Sequence, residues 1–235
     1  MTAEHEAGHE LGRDGVLRRP GSGTGGASGV GMSVGRLEAF SDGVLAIVIT
    51  LLILEIHVPT PGGPDNAKGE LGAALLHQWP HYVSYLLSFF IVGVIWLNHH
   101  ATINLLARTD HRIQVLNLLL LLPVTVLPWP TDLLATYAVD GTPGDQRLAV
   151  LVYGVTSSAM AVAFNVIWRY LRRHPELHKP SVTRELLAVR HRRYNAGIAV
   201  YPAATVLGLL SVPLFLGLML GLAVLYLLPT PDVRA

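Results

Sequence analysis

Between Arg36 and Val58 the chain reads RLEAFSDGVLAIVITLLILEIHV, an apolar run of membrane-crossing length with Ser41 and Asp42 set inside its first turns. About 20 apolar residues in a helix cover a hydrocarbon core of roughly 30 Å. Lipid offers no partner to an open backbone, so such a run must satisfy its own hydrogen bonds as a helix. The carboxylate is the anomaly in it. An ionised carboxylate at the centre of a spanning helix costs on the order of 2.5–3.5 kcal/mol, and it persists where it faces a protein interior, a partner or water. Asp42 therefore belongs in a polar cluster or beside an ion pathway.

The apolar character extends over the chain. Hydrophobic residues make up 51% and charged residues 14%, against roughly 25% charged in a typical soluble domain, and mean hydropathy is +0.45. A formal net charge of +1 gives no basis for binding nucleic acid. Cysteine is absent, which removes disulfides, thiolate metal sites and thiol redox chemistry. Residues 1–35 are acidic and then Gly-rich, with GSGTGGASGVG beginning at Gly21. Glu4, Glu6 and Glu10 stand where a secretory signal would be basic, so this stretch reads as a flexible cytoplasmic tail. A membrane domain is expected over 36–229, followed by a short carboxy-terminal tail at 230–235.

Long apolar runs separated by short polar breaks predict an all-α membrane protein with six spans, at roughly 36–58, 71–97, 112–134, 147–170, 194–210 and 212–228. The last two come from one stretch too long for a single crossing. Pro213 removes a helix donor just after Ser211, which puts a tight turn at 211–213; one kinked helix is the alternative. Orientation follows from charge. Of the 17 Lys and Arg, only Lys68 and Arg147 fall in the loops on one side, and the densest cluster lies between Arg169 and Arg193 on the other. The positive-inside rule then places the amino terminus in the cytoplasm of a cell with this chain in its inner, plasma membrane. The basic loop also suits retention at anionic lipid headgroups. Asp65, Glu70, Asp140 and Asp145 on the outer side either raise the local cation concentration or are ordinary solvated loop residues.

Helical geometry sorts the first span. Counting about 100° per residue from Asp42, Ile47, Leu51 and Leu54 fall at about 140°, 180° and 120°, Thr50 at about 80°, and Ile49 at about 340°. Three branched aliphatics thus stack on successive turns, away from Asp42. Copies of this helix around an axis would form apolar rings, which gate a water-filled path by dewetting; lipid-facing or core packing produces the same spacing. Histidines raise a metal or enzyme reading that the spacing does not support. His77 and His81 are separated by Pro80, and adjacent His99 and His100 cannot share a helix face. No nucleophile elbow, P-loop or dinucleotide fingerprint is present, so no catalytic residue, metal site or cofactor is assigned.

Several motifs coincide at the ends of the first three runs. Arg36-x-x-x-Phe40-Ser41-Asp42-Gly43 is followed by Ala46-Ile47-x-x-Thr50-Leu51-x-x-Leu54, then by Trp96-Leu97-Asn98-His99-His100, by Asn117 opening a leucine run, and by Leu127-Pro128-Trp129-Pro130-Thr131. Together they resemble the transmembrane protein 175 family of lysosomal and bacterial potassium channels. The resemblance implies a six-helix subunit in a homotetramer, with the first helix lining a central path for K+. By the same resemblance, Ile47, Leu51 and Leu54 form the constriction and Thr50 supplies the potassium preference. Arg36, Phe40, Ser41 and Asp42 join a polar network with Trp96, His99 or His100, and Asn117. Nothing resembles the TVGYG carbonyl filter, so selectivity rests on side chains and a leak with modest potassium preference is expected. The alternative is a proton- or cation-coupled secondary transporter, with Asp42 and the histidine pair as relay.

Overall fold

The structure, a computed structural model, describes residues 32–62 and 70–228. The Gly-rich tail, residues 229–235 and the loop positions Asp65 and Lys68 lie outside the described residues. Apart from one bridge between Leu106 and His178, regular structure among the described residues is helical.

Helix α1 runs Val34–Leu51 and continues as a tighter 3₁₀ turn over Leu52–Glu55. It starts two residues before the expected boundary because Ser33 caps it, its hydroxyl accepting from the Arg36 amide. The expected second span is broken. Helix α2 covers only Leu71–His77, and α3 begins after Gln78 and runs Trp79–Ile103. Pro80 is the reason: it has no amide to donate, and its ring would collide with the carbonyl one turn back. As α3 extends beyond Leu97, Trp96 to His100 occupy its last two turns, inside the helix rather than at its close.

Helix α4 spans His111–Val126 and α5 spans Pro128–Asp140, so the expected third span is two helices meeting at Leu127, longer at the far end than expected. Asp110 caps α4 by accepting from the Ile113 amide at 2.8 Å. Its other oxygen accepts from the Tyr170 hydroxyl of α6. Burial pushes the Asp110 carboxyl up, but these two bonds and the neighbouring His174 and Arg112 together hold it below its ordinary value of 3.8. Helix α6 runs Pro143–Arg173, opened by a reciprocal capping box between Thr142 and Asp145 and closed by Arg172 and Arg173. Helix α7 spans Arg184–Gly208, starting ten residues earlier than the apolar pattern indicated, and α8 spans Val212–Leu227. The break between them falls at Leu209 to Ser211, just before the turn expected at 211–213, and Ser211 caps α8.

Among the described residues, four stretches are long and apolar enough to cross a membrane: Val34–Glu55, Trp79–Ile103, His111–Asp140 and Pro143–Arg173. Helix α8 is apolar but shorter, and α7 begins with a polar, basic segment. Helix α6 packs on α4, α5 and α7, α3 packs on α1, α5 and α8, and α1 lies against α3 and α4.

Lipid tails are as apolar as leucine, so these helices are held by close packing and interhelical hydrogen bonds rather than by escape from water. Both devices are visible. A Cβ on Gly154 of α6 would sit 2.1 Å from the Thr205 hydroxyl of α7, which places the two backbones as near as a glycine allows. At the meeting of α3, α5 and α6, the buried Ser88 hydroxyl bonds to Thr131 at 2.7 Å and to Tyr153 at 3.0 Å.

Candidate ion path and its polar support

Helix α1 has two faces of opposite character. Leu37, Ser41, Leu45 and Val48 are buried against α3 and α4, and the following Leu52 is buried where the 3₁₀ turn meets α3 and α5. Across the helix, Ile47 is 60%, Leu51 42% and Leu54 66% exposed, with Gly43, Ala46 and Thr50 exposed between them. Ile49 lies on the packed side, half-buried against the core that contains Leu45 and Val48. The Thr50 hydroxyl donates to the Ile47 and Ala46 carbonyls at 2.8 and 3.1 Å, which fixes its rotamer and leaves oxygen lone pairs free to accept.

A brace of polar side chains holds α1 in this rotation, in two layers. In the buried layer, Ser41 donates to the Leu37 carbonyl at 2.9 Å and accepts from Asn117 Nδ2 at 2.8 Å. Asn117 Oδ1 then accepts from His99 Nε2 at 2.8 Å, which completes a chain from α1 through α4 to α3. With its amide donor committed to Ser41, Asn117 offers only an acceptor, so His99 carries its proton on Nε2. In the outer layer, Trp96 Nε1 donates to Asp42 Oδ1 at 3.0 Å, and His100 Nδ1 lies 2.8 Å from Glu38 Oε1. Asn104 Nδ2 meets His100 Nε2 at 2.9 Å, and the Trp96 and His100 rings stack at 6.1 Å. Glu38 and Asp42 are four residues apart on α1, as Trp96 and His100 are on α3, so two same-face pairs meet across the helix contact.

Of the expected network, the structure therefore brings together Ser41, Asp42, Trp96, His99, His100 and Asn117, and it uses both histidines in separate layers. It does not bring in Arg36 or Phe40. The Arg36 side chain makes no hydrogen bond or ion pair among the described residues, and Phe40 is 47% exposed on α1. Both point off the packed face, since helical spacing carries positions 36 and 40 past the edge of the stripe made by Leu37 and Ser41. Glu38 is the member that sequence reasoning missed, although its spacing of four from Asp42 placed it on the same side.

A second cluster lies at the other end of α1 and was not anticipated. His57, past the 3₁₀ turn, His81 in the first turn of α3 and Asp132 in the first turn of α5 each bring a donor atom within 4.8 Å of the others. No local spacing signals it, because the three positions are far apart in sequence. His77 of α2 takes no part in it.

Membrane-length helices, an apolar stripe left open on one of them and a buried polar brace behind it define a multi-pass α-helical membrane protein. Residues 36–128 match the family model for the endosomal/lysosomal potassium channel TMEM175. The chain is 42% identical over 192 residues to a potassium channel of Streptomyces collinus, covering 82% of this chain and 90% of that one. It is 39% identical over 194 residues to a potassium channel of Chamaesiphon minutus, covering 83% and 93%. The crystal structure of a lysosomal potassium-selective channel TMEM175 homologue from Chamaesiphon minutus superposes with a TM-score of 0.71 at 38% identity, over 82% of this chain and 95% of that one. This chain belongs to the TMEM175 family. The family is one of ion channels, not of enzymes.

Proposed function

We propose that this protein is a potassium channel that conducts K+ passively, as a leak of modest selectivity, through a central path lined by α1 from four copies of the chain. The observation that carries this reading is the division of α1: one face is buried and cross-braced, and the opposite face, Ile47, Leu51 and Leu54, is left largely exposed in its own subunit. A homotetramer would face those stripes toward one another, with Ile47 as the narrowest ring and Thr50 offering hydroxyl oxygens beside it. The bacterial relatives named as potassium channels, similar over nearly their whole length, support the permeant ion. They also count against the coupled-transporter alternative.

In this reading α7 and α8 complete six crossings, the amino terminus and the basic segment before α7 face the cytoplasm, and the membrane is the plasma membrane. The apolar rings set the barrier to hydrated ions, and side-chain oxygens, in place of a carbonyl filter, set the preference. Reconstitution of the purified chain in planar bilayers under opposed K+ and Na+ gradients tests it. The reversal potential should move toward the potassium equilibrium value, with unitary current steps. Flux without unitary currents, dependent on a second ion, would replace the channel with a transporter.

A further inference from the structure

Three side chains with zinc-ligand chemistry converge where α1 ends. His81 Nε2 lies 3.8 Å from Asp132 Oδ1, and the rings of His57 and His81 meet edge to face at 6.4 Å. We propose that His57, His81 and Asp132 form a binding site for a divalent transition-metal ion, for which Zn2+ is the best match. The site is separate from the α1 brace, and the proposal does not depend on potassium conduction.

Two imidazoles and a carboxylate are a common protein ligand set for zinc, with water in the fourth position. Imidazole nitrogen also discriminates against Ca2+ and Mg2+, which prefer oxygen. Charge points the same way. The Glu55 carboxylate interacts electrostatically with both Asp132 and His57, so two carboxylates that repel each other share this corner of the fold. A divalent cation held at Asp132 and His57 offsets that repulsion.

The surroundings orient the His57 ring as metal sites require, and the His81 ring is placed by its approach to Asp132. His57 Nδ1 lies 3.2 Å from the Glu55 carbonyl; with the proton on Nδ1, the Nε2 lone pair is free for a ligand bond. The buried Nδ1 of His81 has no hydrogen-bond partner, so within the described residues the 3.8 Å approach to Asp132 is the polar contact that places this ring. Bonds of about 2 Å in a tetrahedron put ligand atoms roughly 3.3 Å apart. His81 and Asp132 would close by about half an ångström, and His57, exposed and beyond the last helical turn, would swing in by up to about 1.5 Å. Binding would tie the end of α1 to the starts of α3 and α5.

The test uses the full chain in detergent, stripped with EDTA and desalted, with Zn2+ as the probe. Calorimetric titration gives affinity and stoichiometry, and tryptophan fluorescence gives the unfolding temperature. Zn2+ should raise that temperature where Ca2+ and Mg2+ at equal concentration do not. His57→Ala, on an exposed segment where loss of folding is not expected, should weaken binding by more than about tenfold, the lower end of what is lost when even outer-shell partners of a metal are removed. Asp132→Asn should do the same, and His77→Ala should leave both readings unchanged. The chain has 11 histidines, so zinc bound elsewhere is the competing outcome. Binding and thermal shift unchanged in the His57→Ala/Asp132→Asn variant, or no difference between Zn2+ and Ca2+ on the wild type, would overturn the site.

Discussion

Ile47 and Ile49 are chemically identical, two residues apart and oppositely placed, one exposed on the open stripe of α1 and the other half-buried against the core. Asparagine at position 47 should hydrate an apolar ring, raise the potassium current and reduce discrimination among monovalent cations. Asparagine at 49 puts an amide among apolar side chains and should lower stability with little gain in current. Patch recordings normalised to surface protein compare the two, and equal behaviour would remove α1 from the ion path. Thr50→Val keeps the shape and removes the oxygen, so the reversal potential should lose its bias toward potassium; an unchanged potential moves selectivity elsewhere. For Asp42, the partner is Trp96, whose indole loses its acceptor in Asp42→Ala. That should cost about 1–3 kcal/mol, read as a lower unfolding temperature, and Asp42→Asn, which retains a carbonyl oxygen, should recover most of it. At this scale the sequence was informative about direction and less so about partners. A helical wheel put Ile47 and Asp42 on different sides, but it could not say that Asn117 would stand between Ser41 and His99, because that depends on where a third helix packs.

At the scale of elements, the contact between α6 and α7 rests on Gly154 facing Thr205. Gly154→Val forces the two backbones apart and should destabilise by about 1–3 kcal/mol, the usual range for overpacking. A thermal melt of the detergent-solubilised protein decides it, with Gly217→Val, a position open to space, as the matched control. The cap of α4 gives a pH dependence. Asp110 is held below its ordinary value in the folded chain, so its stabilising contribution is present above pH 3.8 and is lost as pH falls through the lower folded value. The wild type should lose thermal stability steeply below about pH 4, and Asp110→Asn should flatten that part of the profile. A slope unchanged in the variant would assign acid sensitivity to other carboxylates. The break before α8 was legible from an apolar run too long for one crossing and from Pro213, although it falls at Leu209 to Ser211 rather than at 211–213. Breaks were missed where the apolar run continued without pause: hydropathy carried the second span through Gln78 although Pro80 cannot continue a helix, and it joined α4 to α5 across Leu127. The early start of α7 was missed for the converse reason, since a polar helix has no apolar stripe to announce it.

For the whole molecule, the charge asymmetry sets the expected topology, and the absence of cysteine makes it simple to test. A cysteine at Thr60, exposed beyond α1, should react with an impermeant maleimide applied to intact cells, and one at Ser181, before α7, should be protected. The reverse pattern would invert the orientation. Native mass spectrometry of the solubilised protein should give four chains per particle, and a stable monomer would leave the open stripe of α1 facing lipid. The all-helical class and the membrane setting were legible from composition and run length alone. Assembly was not, because a surface that meets other copies looks the same in sequence as one that meets lipid.

The open stripe of α1 is largely exposed in its own subunit, and none of the hydrogen bonds of the brace behind it involves a stripe residue. Residues 47, 51 and 54 can therefore change in size and polarity with little penalty to the folding of the single chain, while any change at 41, 99 or 117 is felt by all three helices that meet there. Relatives built on this plan should be able to diverge in conductance and ion preference by substitutions on one strip of one helix, and a library randomised at those three positions should yield mostly folded proteins with different permeation.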